Sequence, residues 1–251
     1  MQQNLSHLSK RDLFFLIELI SRSLTIQDDE DMRNLLLSAK QLIPAEDIVA
    51  GLAIMNVKNQ DLEVKRIINV SYSPDWLTLY MERKYFLTDP VLQTHYRTFQ
   101  PQIWSETYKK YSSPAEKEFI SHSHDFGLMN GVSLGVASSS TGWSLFSFSG
   151  RTLTRHPHYL ALLETLVPHL HAALSKVVII EKSTDISLTP REKEILQWTL
   201  KGYTGWEISQ KLQISERTVM FHVVNAMKKL KARNRAQAAA TALSFGLLVV
   251  D

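Results

Sequence analysis

Residues 215–230 read SERTVMFHVVNAMKKL and contain neither glycine nor proline. Ser215 can begin a helix here, because a serine hydroxyl accepts one of the backbone N–H groups that lack a partner in the first turn. Apolar side chains then recur at steps of three and four residues, as on one face of a helix. They are Val219, Val223, Ala226, Met227 and Leu230. The stretch therefore predicts a helix that packs through one face and presents polar and basic side chains on the other.

This helix belongs to a group of four predicted helices near the C-terminus. Their ranges are 189–201, 204–212, 215–231 and 234–247. The tripeptide 213–215, which includes the first residue of the third helix, forms the corner between the second helix and the third, and a turn this short is typical of a helix-turn-helix. From Ser187 onward the chain has ten Lys and Arg against five Asp and Glu, a net charge of +5. The preceding part has 18 against 20, a net charge of −2, so the basic end is the candidate for binding a polyanion.

A basic helix of this kind fits the major groove of DNA, with its N-terminal side chains near the bases and its lysines near phosphates. The alternative is a helical bundle whose basic face is only solvated. The tight turn and the capped third helix favour DNA as the partner.

The C-terminal sequence closely resembles the LuxR-type helix-turn-helix from end to end. The matching positions are Thr189, Pro190, Arg191, Glu192, Leu196, Gly202, Ile208, the run 215–219, His222 and Asn225. The resemblance implies DNA contacts from Thr204, Glu216, Arg217, Thr218, Phe221, His222, Asn225, Lys228 and Lys229. Met220 departs from the family pattern, in which this position is often basic.

The preceding part of the chain combines helical and strand patterns. Helices are predicted at 11–24, 30–42, 75–86, 113–126 and 157–180, with another beginning at Pro90. Strands are predicted at 48–55, 62–70 and in a hairpin at 130–149, and residues 101–104 are expected to be extended. These patterns predict an α+β protein, because helices flanking a mainly antiparallel sheet form an α/β/α sandwich. We expect this sandwich at 1–180, a linker at 181–186 and an all-α, four-helix helix-turn-helix domain at 187–251.

Aromatic side chains cluster around one carboxylate in the N-terminal domain. They are Tyr72, Trp76, Tyr80, Tyr85 and Trp104, around Asp89. Trp76 and Tyr80 are four residues apart and face the same way on a helix, so they can line a pocket for a small polar ligand. Alternatively, the aromatic residues belong to an ordinary core and Asp89 only caps the helix that begins at Pro90.

The spacing of these residues, together with Gly131 and Ser147, resembles the autoinducer-binding domain of the LuxR family. That domain binds N-acyl-homoserine lactones. The resemblance implies that Trp76 donates its indole N–H to the lactone carbonyl and that Asp89 accepts the amide N–H. It also implies that Tyr72 and Ser147 bond the amide carbonyl.

By the same resemblance, Tyr80 and Trp104 form walls of the pocket. Leu52, Ile54 and Val132 are expected at its far end, where they would contact the acyl chain. The length and substitution of that chain depend on the size of the far end, which the sequence does not determine.

Several other classes of function are disfavoured. The chain has no cysteine, which excludes disulfides, a thiolate nucleophile and a cysteine-based zinc site. Three H-x-H pairs occur, at 122/124, 156/158 and 169/171. Residues two apart on a helix point about 200° apart, so the first and last pairs cannot hold one metal ion, and zinc is not expected. No nucleophile motif has a suitable context, so neither an enzyme nor a cofactor is expected. No signal pattern occurs and no window approaches the roughly 18 apolar residues that span a bilayer, so we expect a cytoplasmic protein without a membrane partner.

Together these features predict a ligand-responsive transcription regulator of quorum sensing that binds an N-acyl-homoserine lactone and DNA. A homodimer on an inverted-repeat operator is expected, because two half-sites multiply the affinity of one small helix-turn-helix. Two alternatives remain open. The first is a regulator of the same architecture that responds to another small molecule or to none, and the second is a module that binds a protein partner.

Overall fold

The computed structural model describes residues 8–56, 61–138, 142–184 and 186–248. The chain divides into two compact units, Met1–Val177 and Val178–Asp251. The helices of the first unit are α1 (Lys10–Ser23), α2 (Asp29–Ser38), α3 (Pro74–Glu82), α4 (Pro90–Thr98), α5 (Trp104–Tyr108), α6 (Pro114–Asp125) and α7 (Pro157–Thr184), the last of which continues beyond the unit. Its strands are β1 (Ile48–Asn56), β2 (Asp61–Asn69), β3 (Gln102–Ile103), β4 (Gly131–Leu134), β5 (Ala137–Ser138) and β6 (Gly142–Ser149).

The strands form one antiparallel sheet in the order β2-β1-β6-β4-β3, and the short β5 also pairs with β6. Side chains of β6 alternate between the two faces of this sheet. On one face, Ser144 lies 2.9 Å from the ring of the buried His171 of α7. On the other face, the side chains of Leu145 and Ser147 point toward α3–α6. Helices thus cover both faces, and the predicted α/β/α sandwich with an antiparallel sheet is confirmed.

Three local predictions differ from the structure. The helix predicted at 75–86 ends at Glu82, because Lys84 adopts a left-handed conformation (φ 53°) before a 3-10 turn at Tyr85–Leu87. The segment predicted as extended at 101–104 is a strand of two residues, after which Trp104 begins α5. Helix α7 extends to Thr184 and includes four residues assigned to the linker. The polar side chains there do not stop a helix, since no proline or glycine follows residue 180 until Pro190.

Helix α7 also corrects the expectation that no segment has the length and apolar character of a membrane span. The part Pro157–Ile179 is long and apolar enough by composition. Most of its residues are buried inside the protein, as in the central helix of a water-soluble domain. Leu162, Leu166, Leu170 and Leu174 along it are almost completely buried.

The second unit contains the four predicted helices: α8 (Pro190–Leu200), α9 (Gly205–Leu212), α10 (Glu216–Lys229) and α11 (Arg235–Ser244). Each begins at a side chain that accepts a backbone N–H, respectively Thr189, Thr204, Ser215 and Asn234. The predicted apolar stripe of α10 is buried in two clusters. Val219 and Val223 pack with Ile195 and Ile208, whereas Ala226 and Leu230 pack with the small residues of α11.

Candidate functional site

A cavity of about 210 Å³ lies between the sheet and helices α3–α6. All six side chains predicted to bind a ligand line it: Tyr72, Trp76, Tyr80, Asp89, Trp104 and Ser147. The remaining wall is mainly apolar and comes from consecutive residues of β1, two residues of β2 and apolar residues of the helices. A mainly apolar cavity with a few convergent polar groups is the usual form of a small-molecule site.

The aromatic residues of α3 are held in place by close ring contacts. Trp76 stacks on Tyr85 with ring centroids 6.1 Å apart, and its edge meets Tyr80 at 5.8 Å. Tyr72 precedes the helix in a turn closed by two hydrogen bonds of 2.9 Å between its backbone and the side chain of Asn69. Neither the Tyr72 hydroxyl nor the Trp76 indole N–H has a hydrogen-bond partner among the described residues. Two donors are therefore free at the cavity wall.

Asp89 both caps a helix and faces the cavity. Its Oδ1 accepts the backbone N–H groups of Val91 (2.8 Å) and Leu92 (3.2 Å) at the start of α4. Its Oδ2 accepts the hydroxyl of Tyr80 at 3.0 Å. The two interpretations of Asp89 offered by the sequence are therefore compatible, because each uses a different oxygen.

Burial controls the ionisation of these groups. Loss of water around Asp89 raises its pKa to about 6, although hydrogen bonds from Leu92, Tyr80 and Val91 oppose the rise. Burial, together with the nearby Asp89 charge, raises the pKa of Tyr72 and Tyr80 well above the usual value. Near neutral pH the site thus offers one carboxylate acceptor beside neutral tyrosine donors.

The opposite wall contains a chain of three polar side chains. Trp104 donates its indole N–H to Ser133 Oγ at 2.8 Å, and Ser133 Oγ lies 2.7 Å from Ser147 Oγ. The two serines are directly opposite each other on β4 and β6. Sequence reasoning found Trp104 and Ser147 but missed Ser133, because the register that pairs these serines follows from the sheet.

Sequence reasoning also missed Tyr108 and Ser123, which line the cavity from α5 and α6. Of the residues expected at the far end, Leu52 lines the cavity, whereas Ile54 and Val132 are not part of its wall. Val132 follows Gly131 and precedes Ser133, so its side chain turns to the other face of the sheet. The alternation of side chains along β4 could have shown that Val132 points away from the cavity, but only once Ser133 was known to face it.

The second unit presents a candidate DNA interface on α10. Arg217 and Lys228 are exposed on the side opposite the buried stripe, and Phe221 between them is 62% exposed. Glu216 is also exposed, whereas His222 and Asn225 are half-buried. Met220 is exposed at the position where a basic residue is frequent. This face can contact a groove through its first turns and a phosphate through Lys228.

Other predicted DNA-contacting groups are already engaged within the unit. Thr204 and Thr218 take part in the caps of α9 and α10. Lys229 donates to Glu192 Oε2 at 2.7 Å, and that carboxylate is buried in the first turn of α8. The Lys229 ammonium group therefore connects α10 to α8, and its predicted phosphate contact stays a prediction. Within the described residues, no group of three or more His, Asp or Glu side chains has the arrangement of a metal site.

Comparisons with known proteins agree with both units. The profile of the family described as "Autoinducer binding domain" matches residues 38–174, and that of "Bacterial regulatory proteins, luxR family" matches residues 186–242. The chain is 34% identical to the quorum sensing-dependent transcriptional regulator RpaR of Rhodopseudomonas palustris, over 80% of this chain and 81% of that protein. It is 29% identical to the transcriptional activator protein AnoR of Acinetobacter nosocomialis, over 92% and 98% respectively.

Solved structures share the fold. The crystal structure of Escherichia coli SdiA superposes with a TM-score of 0.58 and 23% identity, covering 94% of this chain and 99% of that one. A structure of SdiA in complex with octanoyl-rac-glycerol gives a TM-score of 0.62 at the same identity, covering 96% and 98%. With an autoinducer-binding fold, a helix-turn-helix and these relatives, the chain belongs to the LuxR family of quorum-sensing transcriptional regulators.

Proposed function

We propose that the first unit binds an N-acyl-homoserine lactone in its cavity and that the second unit binds DNA in response. The observation that carries the proposal is the convergence of unpaired donors and one half-buried carboxylate, Asp89, on a mainly apolar cavity. Buried polar groups without partners cost about 1–3 kcal/mol each, so such a cavity favours a ligand that supplies the missing partners.

The lactone fits this set of groups. Asp89 can accept the amide N–H, because its hydrogen bonds to Tyr80 and to the start of α4 leave a lone pair free. The free donors of Tyr72 and Trp76 suit the amide and lactone carbonyls, and Ser147 also faces the amide carbonyl. Tyr80 and Trp104 act as walls, and the apolar surface beside β1 and β2 takes the acyl chain. No cofactor has a part in this proposal.

For the second unit we propose that α10 enters the major groove. Arg217 and Phe221 face the bases, Lys228 faces a phosphate, and the N-terminal ends of α9 and α10 approach the backbone. Thr204, Glu216, Thr218, His222 and Asn225 lie around this surface. We further propose a cytoplasmic homodimer on an inverted-repeat operator, with domains at 1–180 and 187–251; the family matches end at 174 and begin at 186.

Thermal melting of the full-length protein with a panel of lactones of different acyl length tests the ligand. A lactone at a hundredfold excess over its dissociation constant is expected to add about 2.7 kcal/mol to the unfolding free energy. Octanoyl-rac-glycerol belongs in the panel, because the neighbour SdiA has been solved with it. A shift with the acylglycerol alone would identify a different ligand class, and no shift with any compound would contradict the ligand proposal.

A pair of tryptophan variants localises the effect. Trp76→Phe keeps a ring in the cavity but removes the indole N–H, so the shift produced by the best lactone should shrink. Trp198→Phe makes the same change in the second unit, where the ring contacts Tyr203, and should leave the shift unchanged. Equal shifts in both variants would remove Trp76 from the proposed site.

Selection from a random duplex pool tests the DNA proposal. Arg217→Ala is expected to change the selected bases, since an arginine at the groove contacts base edges. An unchanged consensus would exclude Arg217 from base recognition.

A further inference from the structure

The Ser133 hydroxyl sits at the centre of a polar chain in an otherwise apolar wall. The residue is 0% exposed. Its Oγ has two hydrogen-bond partners among the described residues, Trp104 Nε1 at 2.8 Å and Ser147 Oγ at 2.7 Å. The direction of these two bonds determines which polar atom the wall presents to the cavity.

The direction follows from the chemistry of the donors. An indole N–H only donates, so Ser133 Oγ accepts from Trp104. The hydroxyl hydrogen of Ser133 is buried and requires an acceptor, because an unpaired buried donor is costly. Ser147 Oγ is the partner that can accept it. The hydrogen of the Ser147 hydroxyl is then left without a protein acceptor in the described part of the chain, and Ser147 lines the cavity.

We propose that Ser133 is a positioning residue that makes the Ser147 hydroxyl a hydrogen-bond donor toward the cavity, so that the site selects ligands with a carbonyl oxygen at this point. The proposal rests on the proposed function of the cavity as a ligand site. The proposal also gives Trp104 a second role. Its ring forms a wall of the cavity, and its N–H sets the direction of the hydrogen bonds from Trp104 through Ser133 to Ser147.

The backbone beside this chain is shaped to admit the Trp104 ring. A Cβ added at Gly131 would lie 2.7 Å from two ring carbons of Trp104 and 2.5 Å from the carbonyl oxygen of Phe148. Only glycine therefore leaves room for the indole at the position from which its N–H reaches Ser133. The strand pairing supports the second bond, because Ser133 and Ser147 are cross-strand partners.

Asp89 and Tyr80 make this donor more important. The Tyr80 hydroxyl already donates to Asp89, so it is not available to a ligand carbonyl without breaking that bond. Asp89 itself only accepts when ionised. Ser147 therefore adds a donor on the sheet side of the cavity, beside the free donors of Tyr72 and Trp76.

The experiment compares two ligands on one set of full-length variants. The probes are the lactone with the largest thermal shift and its thioamide analogue, in which a weakly accepting sulfur replaces the amide oxygen. The ratio of their dissociation constants measures recognition of the carbonyl. Wild-type protein is expected to prefer the amide by about tenfold, and Ser147→Ala or Ser133→Ala should remove most of that preference.

A double-mutant cycle separates positioning from general stability. Ser133→Ala should cost little preference once Ser147→Ala is present, because both variants remove one chain of bonds. Ser133→Thr keeps a hydroxyl and should retain the preference. If Ser133→Ala does not fold, Trp104→Phe takes its place in the test. This variant removes the indole N–H and part of the ring, and it should lower the preference for the amide. Ser175→Ala, a buried serine of α7 outside the cavity, should retain the full preference.

The outcomes distinguish this inference from the proposed function. Lactone binding with an unchanged preference in Ser133→Ala and Trp104→Phe would overturn the role of Ser133 alone. Equal weakening of both ligands by Ser133→Ala would also overturn it, because a residue needed only for folding lowers both affinities without changing their ratio. Additive losses of preference in the cycle would overturn it as well, because two residues of one chain of bonds should not act independently. Failure of the wild-type protein to bind any lactone would overturn the proposed function and this inference together.

Discussion

Asp89 shows how one residue can satisfy two demands that looked like alternatives. Its position before Pro90 suits a helix cap, and its position among aromatic residues suits a ligand acceptor. The two oxygens divide these tasks, since Oδ1 caps α4 and Oδ2 faces Tyr80. The protein holds this carboxyl away from water, and its pKa is raised to about 6 as a result.

The raised pKa of Asp89 predicts a specific dependence of stability on pH. The folded protein binds the Asp89 proton more tightly than the unfolded chain, whose pKa is about 3.9, so its contribution to stability falls as pH rises from about 4 to about 6. In ligand-free protein, the unfolding free energy of wild type minus that of Asp89→Asn should fall by up to about 3 kcal/mol over this range and then level off. Urea titrations at several pH values measure it.

Subtracting the unfolding free energy of Asp89→Asn from that of wild type cancels the contributions of the other titrating groups, which are the same in both proteins. Burial lowers the pKa of His95 and His171, so both proteins lose stability as pH falls below about 6.5. Asparagine can still accept the cap hydrogen bonds, which keeps α4 intact. A difference that stays constant across the range would contradict the burial of an ionisable Asp89.

Two glycines of the sheet, Gly131 in β4 and Gly51 in β1, make a matched pair. Gly131→Ala is expected to lower the unfolding free energy by about 1–3 kcal/mol, because the new methyl group collides with the Trp104 ring and the Phe148 carbonyl. Gly51→Ala should change it by less than about 1 kcal/mol, since the nearest atom to its Cβ is Arg66 O at 3.9 Å. Equal losses in thermal or urea unfolding would show that the collision at Gly131 is not decisive.

At the scale of elements, helix α10 directs two adjacent lysines to different surroundings. Lys228 is exposed on the outer face, whereas Lys229 pairs with the buried Glu192. A rotation of about 100° per residue places neighbours on different sides of a helix. The sequence suggested that both lysines contact phosphates, because a run of basic residues does not reveal which of them has a partner in another helix.

Lys228→Ala and Lys229→Ala should therefore affect different properties, the first DNA binding and the second stability. Loss of Lys228 should weaken binding to a random-sequence duplex and reduce the salt slope by about 1, with little change in stability. Loss of Lys229 should lower the unfolding free energy by about 1–2 kcal/mol, because Glu192 is left buried without its cation. Salt-dependent DNA titrations and urea unfolding measure the two effects, and equal salt slopes for the two variants would contradict this assignment.

At the scale of the whole molecule, the cavity is built entirely from the first unit, and the proposed DNA surface on α10 belongs to the second. Changes in the cavity should thus affect DNA binding only through the ligand. Asp89→Asn should abolish the effect of a lactone on DNA affinity while leaving the affinity of the ligand-free protein unchanged. Titration of a random-sequence duplex with and without lactone measures both quantities; an equal loss in ligand-free affinity would make Asp89 a residue of the fold.

The sequence by itself determined the elements, the family and most of the candidate site. Caps, apolar periodicity and short turns are local properties, so the four C-terminal helices and the main strands could be predicted from neighbouring residues. The resemblance of their spacing to the autoinducer-binding domain likewise predicted that Trp76, Asp89 and Trp104 belong to one site, and all three line the cavity. Only the tertiary structure decided the contacts between residues distant in the chain: Ser133 opposite Ser147, and Lys229 on Glu192. Strand register and helix packing bring these groups together, and neither is encoded in the local pattern around any one of them.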